Sequence, residues 1–400
     1  MEPLPPDVVV LHIGPHKTGT TALQSAFHHN RDELAKHNVR YAGRGRQSML
    51  AALAMTGRPG RRGDTKATPR HWRDLVDEVR GARGQRVVVS SEFFADSEHD
   101  VPQRVVDGLG RDRVHVIITL RPLARILPSQ WQQYVQNGQR KRYPAWLKQV
   151  LIERPFDRTM GTFWRRHNHG ELVKRWAGVL EPDRLTVIVL DESNRRMLLD
   201  TFESMLDLPH GVLVPEQDAS NRSLTLGEVE VIRLLNVEFL RRRWPNSLYG
   251  RIVRNGVAKK LLKRPPDPDE PIITTPRWAL KRAGEIGQAT VEAIDAVGVN
   301  VIGDLASLAM VPAPRPRATD ATSDPAIPAS AAVLAIIGTL MAGRGIEWPV
   351  NKRPAGKPAA AEAPLEAGSL DGFSSALLIR TAAGRIKRRV LIRARARIPH

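Results

Sequence analysis

Short β-branched runs alternate with stretches of helical period along the first half of the chain. The runs VVVLHI, VVVSS, VHVIITL and LTVIVL are near-continuously apolar, as parallel strands covered on both faces must be. They and the shorter run after Asn38 predict strands at Val8 to Ile13, Val39 to Ala42, Arg86 to Ser90, Val114 to Leu120 and Leu185 to Leu190. Apolar residues at helical spacing predict helices at Thr20 to Lys36, His71 to Arg80, Leu127 to Gln136, Gly170 to Ala177 and Arg195 to Leu206. The alternation predicts an α/β, P-loop-like three-layer fold with a central parallel sheet flanked by helices. In such sheets ligands bind at the carboxyl ends of the strands.

From Leu224 the pattern becomes mainly helical, in "LGEVEVIRLLNVEFLRRR" and "ALKRAGEIGQATVEAIDAVGVNVIGDL", with the proline-rich "RPPDPDEPIITTP" between them. The second stretch is expected to pack on the same core. One α/β domain over 1–311 is therefore expected, then a Pro/Ala-rich linker over 312–370 read as disordered, then a basic segment over 371–400. Nine prolines lie between 312 and 364, and the last 25 residues carry eight Lys/Arg and no acid. In that last segment Leu378, Ala382, Ile386, Val390 and Ala394 recur four apart among basic residues. A peripheral contact with an anionic membrane surface through this tail is one expectation, and a solvated tail is the other. There is no internal repeat.

Composition narrows the chemistry. With no cysteine in 400 residues, disulfides, thiolate metal sites and cysteine nucleophiles are excluded. A formal charge of +19 favours an anionic partner without choosing between nucleic acid, acidic lipid and a phosphorylated nucleotide. Aromatic content of 5% and the absence of a recognisable RNA- or DNA-binding module argue against nucleic acid as a partner. The start MEPLPPD runs straight into the first strand without the regions of a signal peptide, which predicts a cytoplasmic location, with the inner membrane surface as the place of any peripheral contact. The apolar-rich stretch 328–343 is too short to read as membrane-spanning.

The chemistry gathers at the first strand-to-helix junction. Gly14-Pro15-His16-Lys17-Thr18-Gly19-Thr20-Thr21 has the glycine spacing of a nucleotide-triphosphate P-loop, but its lysine lies inside the loop and Thr20 follows Gly19. Backbone N–H groups and a helix N-terminus there suit a phosphate. An ordinary Gly-rich turn capped by a threonine is the plainer alternative. A displaced lysine suits one anion with a short chain of phosphorus or sulfur centres better than the β,γ-phosphates of ATP.

At these residues the chain resembles the sulfotransferases that use 3′-phosphoadenosine 5′-phosphosulfate. "HIGPHKTGTTALQ" is similar to that family's 5′-phosphosulfate loop, and "VHVIITLRPLARILPSQWQQYVQNG" to its 3′-phosphate segment. The resemblance implies that Pro15 to Thr21 bind the 5′-phosphosulfate, that Lys17 stabilises charge on the leaving phosphate, and that Arg121 and Ser129 grip the 3′-phosphate. It implies no metal. Glu92, after VVVSS, stands where glycan sulfotransferases use a glutamate as general base. His12 and His16 are the rival bases. "SNRSL" resembles a segment near the nucleotide, so Asn221, Arg222 and Ser223 are read either as donor contacts or as the cap of the following helix. Trp131 and Tyr134 are read as core in preference to an acceptor wall. The activity implied is in-line transfer of a sulfuryl group to a hydroxyl or amine, carbohydrate and glycolipid among the acceptors. A P-loop nucleotide kinase and a non-enzymatic basic nucleic-acid or membrane-surface binder are the other readings.

Overall fold

The computed structural model describes residues 2–58, 66–98, 100–157, 162–215, 222–312 and 325–343. Six strands form one all-parallel sheet: β1 (Val9–Gly14), β2 (Val39–Tyr41), β3 (Arg86–Ser90), β4 (Val114–Leu120), β5 (Leu185–Val189) and β6 (Asn300–Ile302), in the order β2-β3-β1-β4-β5-β6. Alternate side chains of each strand enter different cores. Val9, Leu11 and Ile13 pack on one face with Val87, Val89, Val116 and Ile118, whereas Val8 and Val10 pack on the other with Val88, Leu23, Phe27 and Phe202. Both faces are thus dry, which is why the strands read as unbroken apolar runs.

A third core is purely helical and is built from segments after β4. Leu127, Trp131 and Val135 of the helix Leu123–Gln136 meet Val229 and Ile232 of Leu226–Arg241 and Ala283 and Ile286 of Arg277–Asp295. Trp131 is 2% exposed, as the core reading expects, and its ring nitrogen donates to Lys141 O.

Four expectations change. The stretch Thr20 to Lys36 is two helices, Thr20–His29 and Arg31–Lys36, broken at Asn30, whose side-chain amide donates to Ala26 O and Val214 O. The helix expected from Leu127 starts at Leu123 and carries Pro128 inside it. The long second helical stretch ends at Asp295, and its last residues turn at Gly298 (φ 70°) into the edge strand β6. Three residues are too few for a period to show.

The fourth change is in the expected linker, where Ala329–Ala342 forms a helix. It packs through Gly338 against Gly256 of the π-helical segment Gly250–Ala258, so closely that a Cβ on Gly338 would lie 2.6 Å from Gly256 O. Small residues therefore serve packing here, where the composition suggested disorder. The remainder of 312–370 beyond Pro312, outside residues 325–343, and the basic segment 371–400 lie outside the described residues. Among the described residues no helix is long and apolar enough to cross a membrane.

Candidate active site at the switch point of the sheet

The chain leaves β1 toward the β2–β3 side and returns past β1 to β4, so the strand order reverses between β1 and β4. The loops after these two strands meet at the carboxyl edge of the sheet, the place where open α/β sheets bind ligands. Pairing of β1 with β4 slips between His12 and Gly14, and the phosphate-type loop begins at this bulge.

Three residues of the loop have positive φ: Gly14 (80°), Lys17 (71°) and Gly19 (79°), and the Gly14–Pro15 peptide is cis. Gly14 has a second reason to lack a side chain. A Cβ there would lie 2.9 Å from Glu92 Cβ and 3.1 Å from Glu92 Cα, so glycine is what lets the residue after β3 close against the loop. Lys17 holds a left-handed conformation that non-glycine residues seldom adopt, a strain typical of functional loops. The helix Thr20–His29 begins at Gly19 with no side-chain cap and no acid in its first turn. No acid of its own first turn therefore offsets the positive end of its dipole, the kind of helix start that suits an anion. Thr20 is buried and Thr21 exposed.

Thr18 departs from the expectation of a phosphate ligand, because its hydroxyl turns inward. It donates to Pro15 O at 2.6 Å and shares a 2.8 Å hydrogen bond with the hydroxyl of Thr119 on β4. Thr119 also meets His12 Nε2 at 3.2 Å, and His12 Nδ1 meets Ser90 Oγ at 2.8 Å. Gln24 donates through Nε2 to Ser90 Oγ and to Glu92 Oε2, at 3.2 and 3.1 Å. One buried polar chain thus ties the loop to β4, β1, β3 and Glu92, and fixes the loop's shape by hydrogen bonds it cannot leave unmade.

Glu92 opens a short 3₁₀ turn, Glu92–Asp96, and is 7% exposed. Its Oε1 lies 3.9 Å from His16 Nδ1, and the His16 ring stands edge-on to Phe93. The rivals for the base separate here. His12 is fully buried inside the sheet with both ring nitrogens engaged, and burial lowers its pKa to about 3. It acts as a neutral strut, while His16, also buried, lies beside Glu92.

The neutrality of His12 has a measurable consequence. Its folded pKa of about 3 lies below its ordinary 6.5, so between those values the unfolded chain binds a proton that the native chain does not. Stability attributable to this group therefore falls as pH drops from 6.5, by about 1.4 kcal/mol per pH unit. Urea unfolding across pH 7.5 to 5.0 is expected to show a slope smaller by one proton in His12→Gln than in the wild type. Equal slopes would mean that His12 is not held neutral.

Arg121 follows β4 directly and is engaged by a carboxylate of the chain: Nε and Nη2 donate to Glu192 Oε1 at 2.7 and 2.5 Å. Arg125 Nε lies 3.3 Å from the other oxygen of Glu192. Ser129, on the helix Leu123–Gln136, donates its hydroxyl to Ile126 O at 2.9 Å, so it must rotate to donate to a phosphate.

Arg222 and Ser223 make their contacts elsewhere. Asn221 lies outside the described residues. Arg222 donates through both terminal nitrogens to the buried Glu228, which also binds Arg264. Thr225 and Glu228 form the reciprocal cap of Leu226–Arg241. Arg222 thus braces a helix start that Thr225 and Glu228 themselves cap, and Ser223 O accepts from Arg222.

Several groups packed near Glu92 and Phe93 carried no signal in the sequence. The short helix Phe163–His167 brings Arg166 onto Asp96 in a two-pronged pair at 2.8 Å each and over the Phe93 ring at 5.7 Å. The next residue, His167, meets Gln130 at 3.1 Å. Burial first, then the charges of His169, Arg166 and Lys17, push its pKa well below the ordinary value. Pairs 70 positions apart in the chain, such as Arg166 with Asp96, leave no local pattern, although the basic run WRRH was visible. Among the described residues, Asp200, Glu203 and His210 could gather about a cation. Arg196 already pairs with both carboxylates, and Glu203 accepts from Gly211 N and Leu213 N, so this group is a loop brace.

No protein-family model matches the chain, and no curated protein is significantly similar to it. Among solved structures, a sulfotransferase from Alicyclobacillus acidocaldarius is similar over 59% of this chain and 95% of its own, at 17% identity and a TM-score of 0.38. So distant a likeness carries no functional weight.

Proposed function

We propose that the protein transfers a sulfuryl group from 3′-phosphoadenosine 5′-phosphosulfate to a hydroxyl or amine of an acceptor, with carbohydrates and glycolipids as the acceptor classes to test first. The observation that carries this reading is the convergence at one switch point of an uncapped helix N-terminus, a lysine inside the preceding loop, an arginine at the end of the neighbouring strand and a carboxylate against the loop. An anion with two separated phosphates would meet Lys17 in the loop after β1 and Arg121 at the end of β4.

The step is a displacement at sulfur. The acceptor oxygen or nitrogen forms a bond to sulfur while the bond from sulfur to the phosphate oxygen breaks, and 3′-phosphoadenosine 5′-phosphate leaves. Glu92 takes the acceptor's proton. Lys17 offsets the charge that grows on the leaving phosphate, and the amides of Gly19, Thr20 and Thr21 hold that phosphate at the helix start. Arg121, with Ser129 after rotation, takes the 3′-phosphate through its paired donors. By analogy with phosphoryl transfer, positioning and charge stabilisation supply most of the rate. No protein cofactor or metal enters these steps.

The test is incubation of the protein with isotopically labelled donor and a host cell extract, with the labelled product identified by mass spectrometry. Calorimetry decides against the kinase reading: 3′-phosphoadenosine 5′-phosphate is expected to bind in the absence of metal and more tightly than ATP with magnesium. The reverse order would overturn the proposal.

Glu192 adds a further expectation. Its carboxylate occupies the donors of Arg121, so a 3′-phosphate must displace it. Glu192→Gln is expected to tighten binding of 3′-phosphoadenosine 5′-phosphate by the worth of a partly exposed ion pair, about 0.2–1 kcal/mol or up to about fivefold. Binding of adenosine 5′-phosphate should not change. Weaker binding of the 3′-phosphorylated nucleotide would show that Glu192 orients Arg121 and does not compete for it.

A further inference from the structure

The helix Ala329–Ala342 has the wrong surface for a helix that faces water. Its outward stripe is Val333, Ile336, Ile337, Leu340 and Met341, exposed by 51, 37, 37, 46 and 53%. No charged residue occurs anywhere in 325–343. A helix on the outside of a globular protein ordinarily carries its charges on that face, and one that is apolar all round is covered by something.

Its neighbour supplies the opposite character. Gly338 touches Gly256, and Arg264 Nη1 donates to Ser330 Oγ at 3.1 Å. These two contacts fix an antiparallel packing of 325–343 against the segment 250–264. That segment holds Arg251, Arg254, Lys259, Lys260, Lys263 and Arg264 and no acid. Arg251, Lys259 and Lys263 are exposed. Arg264 itself is buried against Glu228 and Glu270, so the uncharged apolar ridge runs beside a row of three exposed cations, Arg251, Lys259 and Lys263.

We infer that this two-segment face docks on the surface of an anionic phospholipid bilayer. The apolar stripe enters the boundary between headgroups and acyl chains, and the flanking Lys/Arg meet the lipid phosphates. At 14 residues the helix is about 21 Å long, so it lies on the bilayer and does not cross it. Charge decides between the possible covers. A second copy of the chain packed on the same ridge would bring two cation rows together. The chain's own carboxyl-terminal segment, with eight Lys/Arg and no acid in its last 25 residues, would meet the row with like charge. An anionic bilayer attracts both.

The test uses the full chain in flotation with vesicles of phosphatidylcholine alone and with about 30% phosphatidylglycerol added, beside sedimentation velocity without lipid. The wild type is expected to float with the anionic vesicles and not the neutral ones. Ile337→Glu with Leu340→Glu should lower vesicle partitioning at least about tenfold. Melting temperature and binding of 3′-phosphoadenosine 5′-phosphate should stay unchanged, so this result is separable from the proposed activity. Ile337→Ser with Leu340→Ser, which adds no charge, should move partitioning in the same direction and guards against a folding artefact. The inference is overturned if the wild type does not float with anionic vesicles, or if both double variants float as well as the wild type. A wild-type dimer that these variants dissociate, with no vesicle binding, would assign the face to a second copy instead.

Discussion

Glu92→Gln is expected to lower the rate of sulfuryl transfer by about 10²- to 10⁴-fold, the range of a lost general base, while leaving the affinity for 3′-phosphoadenosine 5′-phosphate nearly unchanged. Glutamine keeps the size of the side chain, and its carbonyl oxygen can still accept from Gln24 Nε2, the 3.1 Å partner of Glu92. The buried chain of hydrogen bonds through Ser90 and His12 therefore stays intact, and only proton acceptance is lost. Lys17→Ala supplies the contrast. It removes a cation from the phosphate loop and should weaken nucleotide binding as well as turnover, a pattern that single-turnover kinetics and calorimetry separate. If Glu92→Gln turned over within a few-fold of the wild type, the base would have to be His16, whose Nδ1 lies 3.9 Å from Glu92 Oε1. His12 could not replace it from inside the sheet.

The parts of this site legible in the sequence are the ones encoded locally. β1, β3, β4 and β5 read as apolar runs because the fold covers both faces of the sheet, and the loop is written in eight consecutive residues from Gly14 to Thr21. Glu92 was visible for the same reason, as the first acid past a buried strand. Long-range pairs were not. Nothing near Arg121 announces that Glu192, 71 positions on, will hold its guanidinium, and nothing near Glu92 announces Arg166. Arg222 shows the converse, since a basic residue in a promising motif went to a buried carboxylate at a helix start. β6 escaped because an edge strand of three residues has no period, and the helix Ala329–Ala342 because prolines on either side outweighed an apolar stretch whose partner, Gly250–Ala258, lies far back in the chain.

Arg121→Ala is expected to weaken binding of 3′-phosphoadenosine 5′-phosphate by about 2–5 kcal/mol, roughly thirtyfold to several thousandfold, because under the proposed function the 3′-phosphate would lose its charged partner. The structure favours the lower part of that range. The Arg121 side chain is 29% exposed and already shares Glu192 with Arg125, so solvent and the second guanidinium soften the loss. The effect should be specific. The variant should bind the 3′-phosphorylated nucleotide little better than adenosine 5′-phosphate, whereas Arg393→Ala, in the basic carboxyl-terminal segment, should leave that preference untouched. A double-mutant cycle sharpens the assignment. If Glu192 competes with the 3′-phosphate for Arg121, the tightening given by Glu192→Gln should shrink in the Arg121→Ala background to what Arg125 alone sustains. Equal weakening of both nucleotides by Arg121→Ala and Arg393→Ala would mean that the +19 charge acts as a diffuse attractor, and Arg121 would lose its place as the 3′-phosphate ligand.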